Sequence, residues 1–481
     1  MLLSFSIFAF VFLRNANAEN NFYPRYHLAP EHGWMNDPNG FCIFNNEYHL
    51  FYQYNPNSSY VPGIAHWGHA VSKDLFHWKH LPIAMYPDQW YDEGGVFSGS
   101  ALVDNGTMYL YYTGNVNHPN ETPNHNQYQA LAMSTDGINV AKYDNNPIIN
   151  GTQLQPDLRD PKVWKHGDKY YMVLGNSFND GKLGRALLYT SPDKINWEKA
   201  SVLAESDGFL GYMFECPDFF EIDGYFVLLF SPQGIKPRGD KYRNLYQTGY
   251  LIGTFDYETN NFTVLSKFQE FDHGHDLYAT QSEVDENGNR IVIAWFDMWD
   301  QNYPENAQGF TGQMTIPRVI SVTNDLRLKQ TPVQSISLAR GRNTYSGRTK
   351  GGAVVVLEDN VGEVVVKAPR YRDFALFIES DSGSVKLSYD FKKGRVTLDR
   401  GGNDGVRRTS WRPQDKLLWK IYIDSSSIEL FCGEGEVTFS SRFFPTGSVR
   451  LRLAPHSDAE EMIVNGMKHT VDITSANEAT G

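Results

Sequence analysis

The chain has 481 residues, more than one ordinary domain holds, so two or three domains are expected. A formal net charge of −13 argues against nucleic acid and anionic membranes as partners and favours a neutral one such as a sugar. Aromatic residues make up 14%, which suits large buried cores and sugar-stacking surfaces.

Residues 1–18 read as a secretory signal peptide. The apolar run Leu2–Leu13 is too short to span a bilayer, and the small-residue pattern Ala16-Asn17-Ala18 places cleavage before Glu19. Its leading end lacks Lys and Arg, and the alternative is a buried N-terminal strand. On a secreted, extracellular protein the Asn-x-Ser/Thr triplets at Asn57, Asn105, Asn120, Asn150 and Asn261 become candidate glycosylation sites. Cys42, Cys216 and Cys432 are odd in number, so no disulfide scaffold is expected.

From there a repeat of about sixty residues dominates. Aromatic, β-rich runs recur at Tyr48–Tyr54, Met108–Gly114, Tyr170–Asn176, Tyr225–Ser231 and Arg290–Phe296. Each follows a short turn rich in Asn, Asp or Gly, the signature of a β-hairpin. Ser72-Lys73-Asp74, Ser134-Thr135-Asp136, Ser191-Pro192-Asp193 and Thr254-Phe255-Asp256 trail the first four hairpins as turn formers. Trp78 and Trp197 close two of these turns and read as core. Five such units over residues 19–330 describe an all-β, five-bladed β-propeller, with a large sandwich or stacked barrels as the alternatives.

Residues 331–345, with Pro332 and then polar residues, suit a linker. Residues 346–481 alternate in short apolar runs such as Val364–Lys367 and Trp419–Ile423, which points to a C-terminal β-sandwich with a packing role.

The repeat also places chemistry. Asp37 lies eleven residues before its aromatic run, Asp160 ten and Glu215 ten, with Ser98 and Tyr278 at similar offsets in the other units. These positions fall on the first strand of each unit, which lines the central channel of a propeller. Residues far apart in sequence thus converge on one axis. Glycosidic cleavage needs two carboxyl groups in different protonation states, and crowding them raises one pKa. Asp160 adjoins Arg159, and an ion pair between them is expected to keep Asp160 ionised. Taken singly, Asn36-Asp37-Pro38-Asn39-Gly40 is turn chemistry and Arg159-Asp160-Pro161 a surface ion pair. Their shared position favours a site.

At these residues the chain resembles glycoside hydrolase family 32, the invertases and fructanases. The motifs are Trp34-Met35-Asn36-Asp37-Pro38-Asn39-Gly40, Phe51-Tyr52-Gln53-Tyr54-Asn55-Pro56, Trp67-Gly68-His69-Ala70, Phe97-Ser98-Gly99-Ser100, Arg159-Asp160-Pro161 and Glu215-Cys216. The resemblance implies a retaining β-fructofuranosidase acting on sucrose, with Asp37 as nucleophile, Glu215 as acid/base and Asp160 as transition-state stabiliser. It also implies a fructose subsite of Trp34, Asn36, Gln53, Trp67, Phe97, Ser98 and Arg159, with Asp276, Tyr278 and Trp299 on the leaving-group side. The chain departs from the family at Leu158, where Phe is usual, and at Tyr60-Val61-Pro62-Gly63, where a Trp-Gly pair is usual. Tyr60 is the remaining candidate for an aromatic wall there.

No cofactor or metal is implied. His66 and His69 sit three apart on a strand and face opposite sides, and His273 with His275 lacks a third ligand. The rival readings are a fructosyltransferase or fructan-preferring hydrolase on the same fold, an arabinan-cleaving propeller and a catalytically silent sugar-binding lectin.

Overall fold

The computed structural model describes residues 21–150 and 157–471; the signal peptide expected at 1–18 lies outside them. Five antiparallel sheets form the blades of a propeller. Their inner strands are Gly33–Phe44, Gly95–Asp104, Leu158–His166, Met213–Ile222 and Tyr278–Val284, in blades 1 to 5. Each inner strand is followed by its aromatic run: Glu47–Asn55, Thr107–Asn117, Lys169–Phe178, Tyr225–Gln233 and Arg290–Trp295.

The hairpins form because their turn residues tolerate left-handed backbone. Asn45 and Asn46 have φ of 50° and 63°, Asn105 and Gly106 51° and 74°, and Asp223 and Gly224 52° and 78°. Two left-handed residues between antiparallel strands match the strand twist. The trailing Ser and Asp residues also act as read. Asp74 Oδ1 accepts the amides of Phe76 and His77, and Asp193 Oδ1 those of Ile195 and Asn196. Trp78 and Trp197 then donate their indole N–H to the carbonyls of Leu75 and Lys194.

Between neighbouring blades sits a separate apolar cluster. Phe51, Trp67, Met108 and Tyr112 pack between blades 1 and 2, and Val173, Phe214, Phe219 and Phe230 between blades 3 and 4. The ring closes where Phe310–Thr311, an excursion from blade 5, pairs in parallel with Gly33 and Trp34.

Every inner strand breaks register against its neighbour at the same level. The extra residues are Asn36-Asp37, Ser98, Asp160-Pro161, Cys216-Pro217 and Ala279. A β-bulge kinks the strand and re-aims side chains that strict alternation would bury. Asp160, Cys216 and Ala279 pass through positive φ of 64°, 46° and 46°, backbone that non-glycine residues seldom adopt.

The sandwich consists of two six-stranded sheets around a core that includes Trp419, Leu376 and Phe439. The stretch 331–345 overlaps strands at both ends. Blade 5 runs through Pro332, a single helical turn covers Ile336–Ala339, and the first sandwich strand starts at Arg340.

The two domains are stitched together along residues 272–276. His273 N donates to Thr438 O at 2.9 Å, Asp276 N to Ser440 O at 3.1 Å, and Arg442 N to Asp276 Oδ2 at 2.7 Å. Gly274 permits this approach, since a Cβ there would lie 2.0 Å from Ser440 O. Buried ion pairs flank the seam: Arg318 with Asp272 and Glu429, and Arg442 with Glu305 and Asp297.

Candidate active site

A cavity of about 390 Å³ opens at the propeller's axis, lined by Asn36, Asp37, Gln53, Phe97, Ser98, Arg159, Asp160, Glu215 and Trp299 among others. Asp37, Ser98 and Asp160 enter it from bulge positions, and Glu215 immediately precedes one.

Asp37 is held by two polar neighbours. Ser98 Oγ donates to Oδ2 at 2.6 Å and Asn36 Nδ2 to Oδ1 at 3.0 Å. Burial and the charge of Glu215 push its pKa up, and these hydrogen bonds pull back toward the ionised form. Trp34 Nε1 fixes Asn36 in turn, and the Trp34 ring stacks on Trp299 at 6.3 Å.

Glu215 is gripped on both oxygens. Arg159 reaches Oε1 through Nη2 at 2.6 Å and Nε at 3.1 Å, while Tyr278 donates its hydroxyl to Oε2 at 2.5 Å. The guanidinium expected to pair with Asp160 therefore pairs with Glu215, and with Asp157 at 3.1 Å. Left-handed backbone at Asp160 turns its carboxylate instead toward the amide of Cys216, 2.9 Å away. Burial pushes the pKa of Asp160 up to about 7 against the pull of Arg159, and Glu215 and Asp37 add to the rise. The expectation that Arg159 keeps Asp160 ionised is thus corrected: desolvation outweighs the nearby cation.

Cys216 follows Glu215 in the chain but serves the other two acids. Its buried thiol donates to Asp37 Oδ2 at 3.4 Å and lies 3.7 Å from Asp160 Oδ2. Burial first, then Asp37, raises its pKa, so the sulfur stays protonated and acts as a donor.

Three of the residues expected to touch the sugar, Trp67, Tyr278 and Asp276, are fully buried. Trp67 is fully buried in the cluster between blades 1 and 2 and donates to the carbonyl of Phe97, so it supports that ring from behind. Trp34, 5% exposed, stands against the lining Trp299 and Asn36. Tyr278 is fully buried beneath Glu215, with its hydroxyl on that carboxylate. Asp276 belongs to the domain seam, where it binds Arg400 at 2.6 Å and the Tyr303 hydroxyl at 2.5 Å. Tyr60 is 59% exposed and outside the cavity, whose wall there is Pro62, Gly63 and Ala65. His69 stacks on Phe51 and bonds His49, while His275 bonds Ser441.

Five polar lining residues escaped sequence reasoning: Asn115, Asn117, His125, Gln127 and Asp157. A signal for four of them existed. Asn115-x-Asn117 and His125-x-Gln127 are spaced two apart on adjacent strands of blade 2, so each pair shares a face. Their side chains form a chain from the rim to Arg159, with Asn115 donating to Asn117, Gln127 to Asn115, and Arg159 to Gln127.

Residues 27–332 match the glycosyl hydrolases family 32 N-terminal domain, and residues 334–472 match the family 32 C-terminal domain. The chain belongs to glycoside hydrolase family 32. It is 39% identical to a sucrose-6-phosphate hydrolase of Escherichia coli, over 89% of this chain and 90% of that one. A raffinose invertase of Escherichia coli is 38% identical over 92% and 94%. The solved Bombyx mori GH32 beta-fructofuranosidase BmSUC1 superposes with a TM-score of 0.88 at 40% identity, covering 94% of this chain and 95% of that one. A mutant of that silkworm protein has been solved in complex with sucrose. This family 32 member is accordingly a glycoside hydrolase of the invertase type, a fructofuranosidase whose substrate is a sugar.

Proposed function

We propose that the protein is a secreted, retaining β-fructofuranosidase that removes terminal β-D-fructofuranosyl residues from unphosphorylated sugars, with sucrose as its substrate. The observation that carries the reading is the convergence of Asp37, Asp160 and Glu215, from three blades, in one cavity. In this mechanism Glu215 protonates the glycosidic oxygen as an Asp37 oxygen attacks the fructosyl anomeric carbon and the bond to glucose breaks. Water then attacks the fructosyl-Asp37 ester, giving its proton to Glu215 and releasing fructose with its configuration retained. Asp160, sharing Cys216 with Asp37, is placed to bind fructose hydroxyls and favour the oxocarbenium-like transition state.

Electrostatics support neutral sucrose over a sugar phosphate. The described lining residues include four carboxylates, Asp37, Asp157, Asp160 and Glu215, against one guanidinium, Arg159, and one imidazole, His125. Arg159 already serves Glu215 and Asp157. Secretion is supported by the sequence of residues 1–18 and by the exposure of all five acceptor asparagines.

The test is purified protein incubated with sucrose, raffinose and inulin, with products separated and the first-formed fructose anomer followed by NMR. Equimolar glucose and β-fructofuranose from sucrose are expected. Predominantly chain-extended products, or α-fructofuranose formed first, would overturn the reading. Expression in insect cells should deliver protein to the medium with Glu19 at its N-terminus and a mass that falls on deglycosylation; retention in the cells refutes secretion.

A further inference from the structure

Three of the four carboxylates in the cavity are used by the proposed reaction, and Asp157 is not. Its position is rigid. The Asp157 carbonyl accepts the amide of Ser177 at 3.0 Å and the Asn176 side chain at 2.8 Å, anchoring it to blade 3. Its carboxylate stands at the mouth with 29% of the side chain exposed. Oδ1 accepts from both basic groups of the lining, Arg159 Nη1 at 3.1 Å and His125 Nε2 at 3.0 Å. Burial alone would raise the Asp157 pKa, but His125 and Arg159 outweigh it and hold the group below the usual carboxylate range. It is therefore an anion whenever the enzyme works near neutrality.

This arrangement has a cost for one class of ligand. A phosphate monoester carries about −1.5 to −2 charges at neutral pH and is bound by Arg or Lys donors free to fork onto its oxygens. Here the remaining Arg159 contacts run to Glu215 and Gln127. A phosphorylated leaving group would meet a fixed negative charge that already engages Arg159 and His125.

Resting on the reading of the protein as a fructosidase for neutral sugars, we infer that Asp157 is the specificity-determining residue that excludes phosphorylated leaving groups, by facing them with its charge and occupying Arg159 and His125. The rest of the blade 2 ladder, Asn115, Asn117 and Gln127, offers uncharged donors and acceptors suited to the hydroxyls of an unmodified hexose.

The test compares the full-length wild type, Asp157→Asn and Asp157→Glu on sucrose and on sucrose 6-phosphate at pH 7.5. The quantity read is the ratio of the two kcat/KM values. Asp157→Asn should lower the preference for sucrose by roughly 10- to 100-fold, the scale of a removed like-charge contact, while Asp157→Glu keeps a preference near the wild type's. In parallel, inhibition by glucose 6-phosphate should strengthen relative to inhibition by glucose in Asp157→Asn, and added salt should erase that gain. An unchanged ratio in a folded Asp157→Asn protein overturns the inference and leaves the substrate reading standing. If that variant does not fold, His125→Ala serves, since withdrawing the donor leaves Asp157 less compensated and must raise the preference for sucrose; no rise is equally fatal. A wild type that takes sucrose 6-phosphate as readily as sucrose overturns both.

Discussion

The carboxylates of the site differ in what surrounds them, and that difference bears on the division of labour proposed for them. Burial and Glu215 raise the pKa of both Asp37 and Asp160; hydrogen bonds from Ser98 and Asn36 offset the rise at Asp37, whereas Asp160, held by the Cys216 amide, reaches about 7. Replacing Asp37 with Ala or Glu215 with Gln should cut sucrose turnover by about 10²–10⁴ with the melting temperature preserved, as expected for a positioned nucleophile or acid/base. Near-normal turnover in either variant removes that residue from its role. Asp160 also yields a stability prediction. Its pKa rises from an ordinary 3.8 to about 7 in the fold, so the native chain keeps a proton that the unfolded chain releases. Stability is therefore lost as pH climbs from about 4 to 7, and the penalty is complete above that window. Asp160→Asn abolishes activity but should raise Tm at pH 8 by about 2 °C or more, with little gain at pH 4. Equal shifts at both pH values count against a strained Asp160. The three acids were legible in the sequence because their offsets repeat. The partner of Arg159 was not, because the backbone kink at Asp160 that redirects its carboxylate has no signature in residue type.

At the scale of single elements, the reading succeeded where chemistry is local. Asn45-Asn46, Asn105-Gly106 and Asp223-Gly224 turn hairpins through their own φ preferences, and Asp74 and Asp193 cap nearby amides, so short segments reveal them. Bulges are different. They arise from how five inner strands crowd around one axis, and a period-two pattern cannot show an inserted residue. Asp276 and Tyr278 illustrate the gap. Both sit at the level of the catalytic motifs in blade 5, yet one lies in the seam and the other under Glu215. Trp67 was misassigned for a similar reason, since a buried Trp and a sugar-stacking Trp look alike in sequence. The bulge at Ser98 depends on Gly99, whose absent Cβ would lie 1.9 Å from Tyr111 O. Gly99→Ala should push the first two strands of blade 2 apart, displace Ser98 from Asp37 and lower kcat by at least about 10-fold, a small misplacement being enough for such a loss. Wild-type kcat in this variant would show that bulge geometry does not govern the nucleophile.

Over the whole molecule, the family fold and the division into propeller and sandwich followed from the repeat and from the change in texture after residue 330. The seam did not, because its charges are scattered across more than 400 positions of sequence: His27 bonds Asp424 at 2.7 Å and Glu429 at 2.9 Å, and Glu429 also binds Arg318. Burial would lower the His27 pKa, but the two carboxylates raise it to about 9 from an ordinary 6.5. The bound proton stabilises the fold fully below pH 6.5, and that contribution is lost as pH rises through 9. Wild-type Tm should therefore decline between pH 6.5 and 9.5, and the decline should be shallower in His27→Gln. Parallel curves for the two proteins would place the alkaline sensitivity elsewhere.

The stitched stretch 272–276 ends two residues before Tyr278, the phenol that grips Glu215. Thermal tolerance of catalysis should therefore be set at the join between the domains, and a heated enzyme should stop cleaving sugar when the C-terminal module begins to peel away, while the blades are still wound.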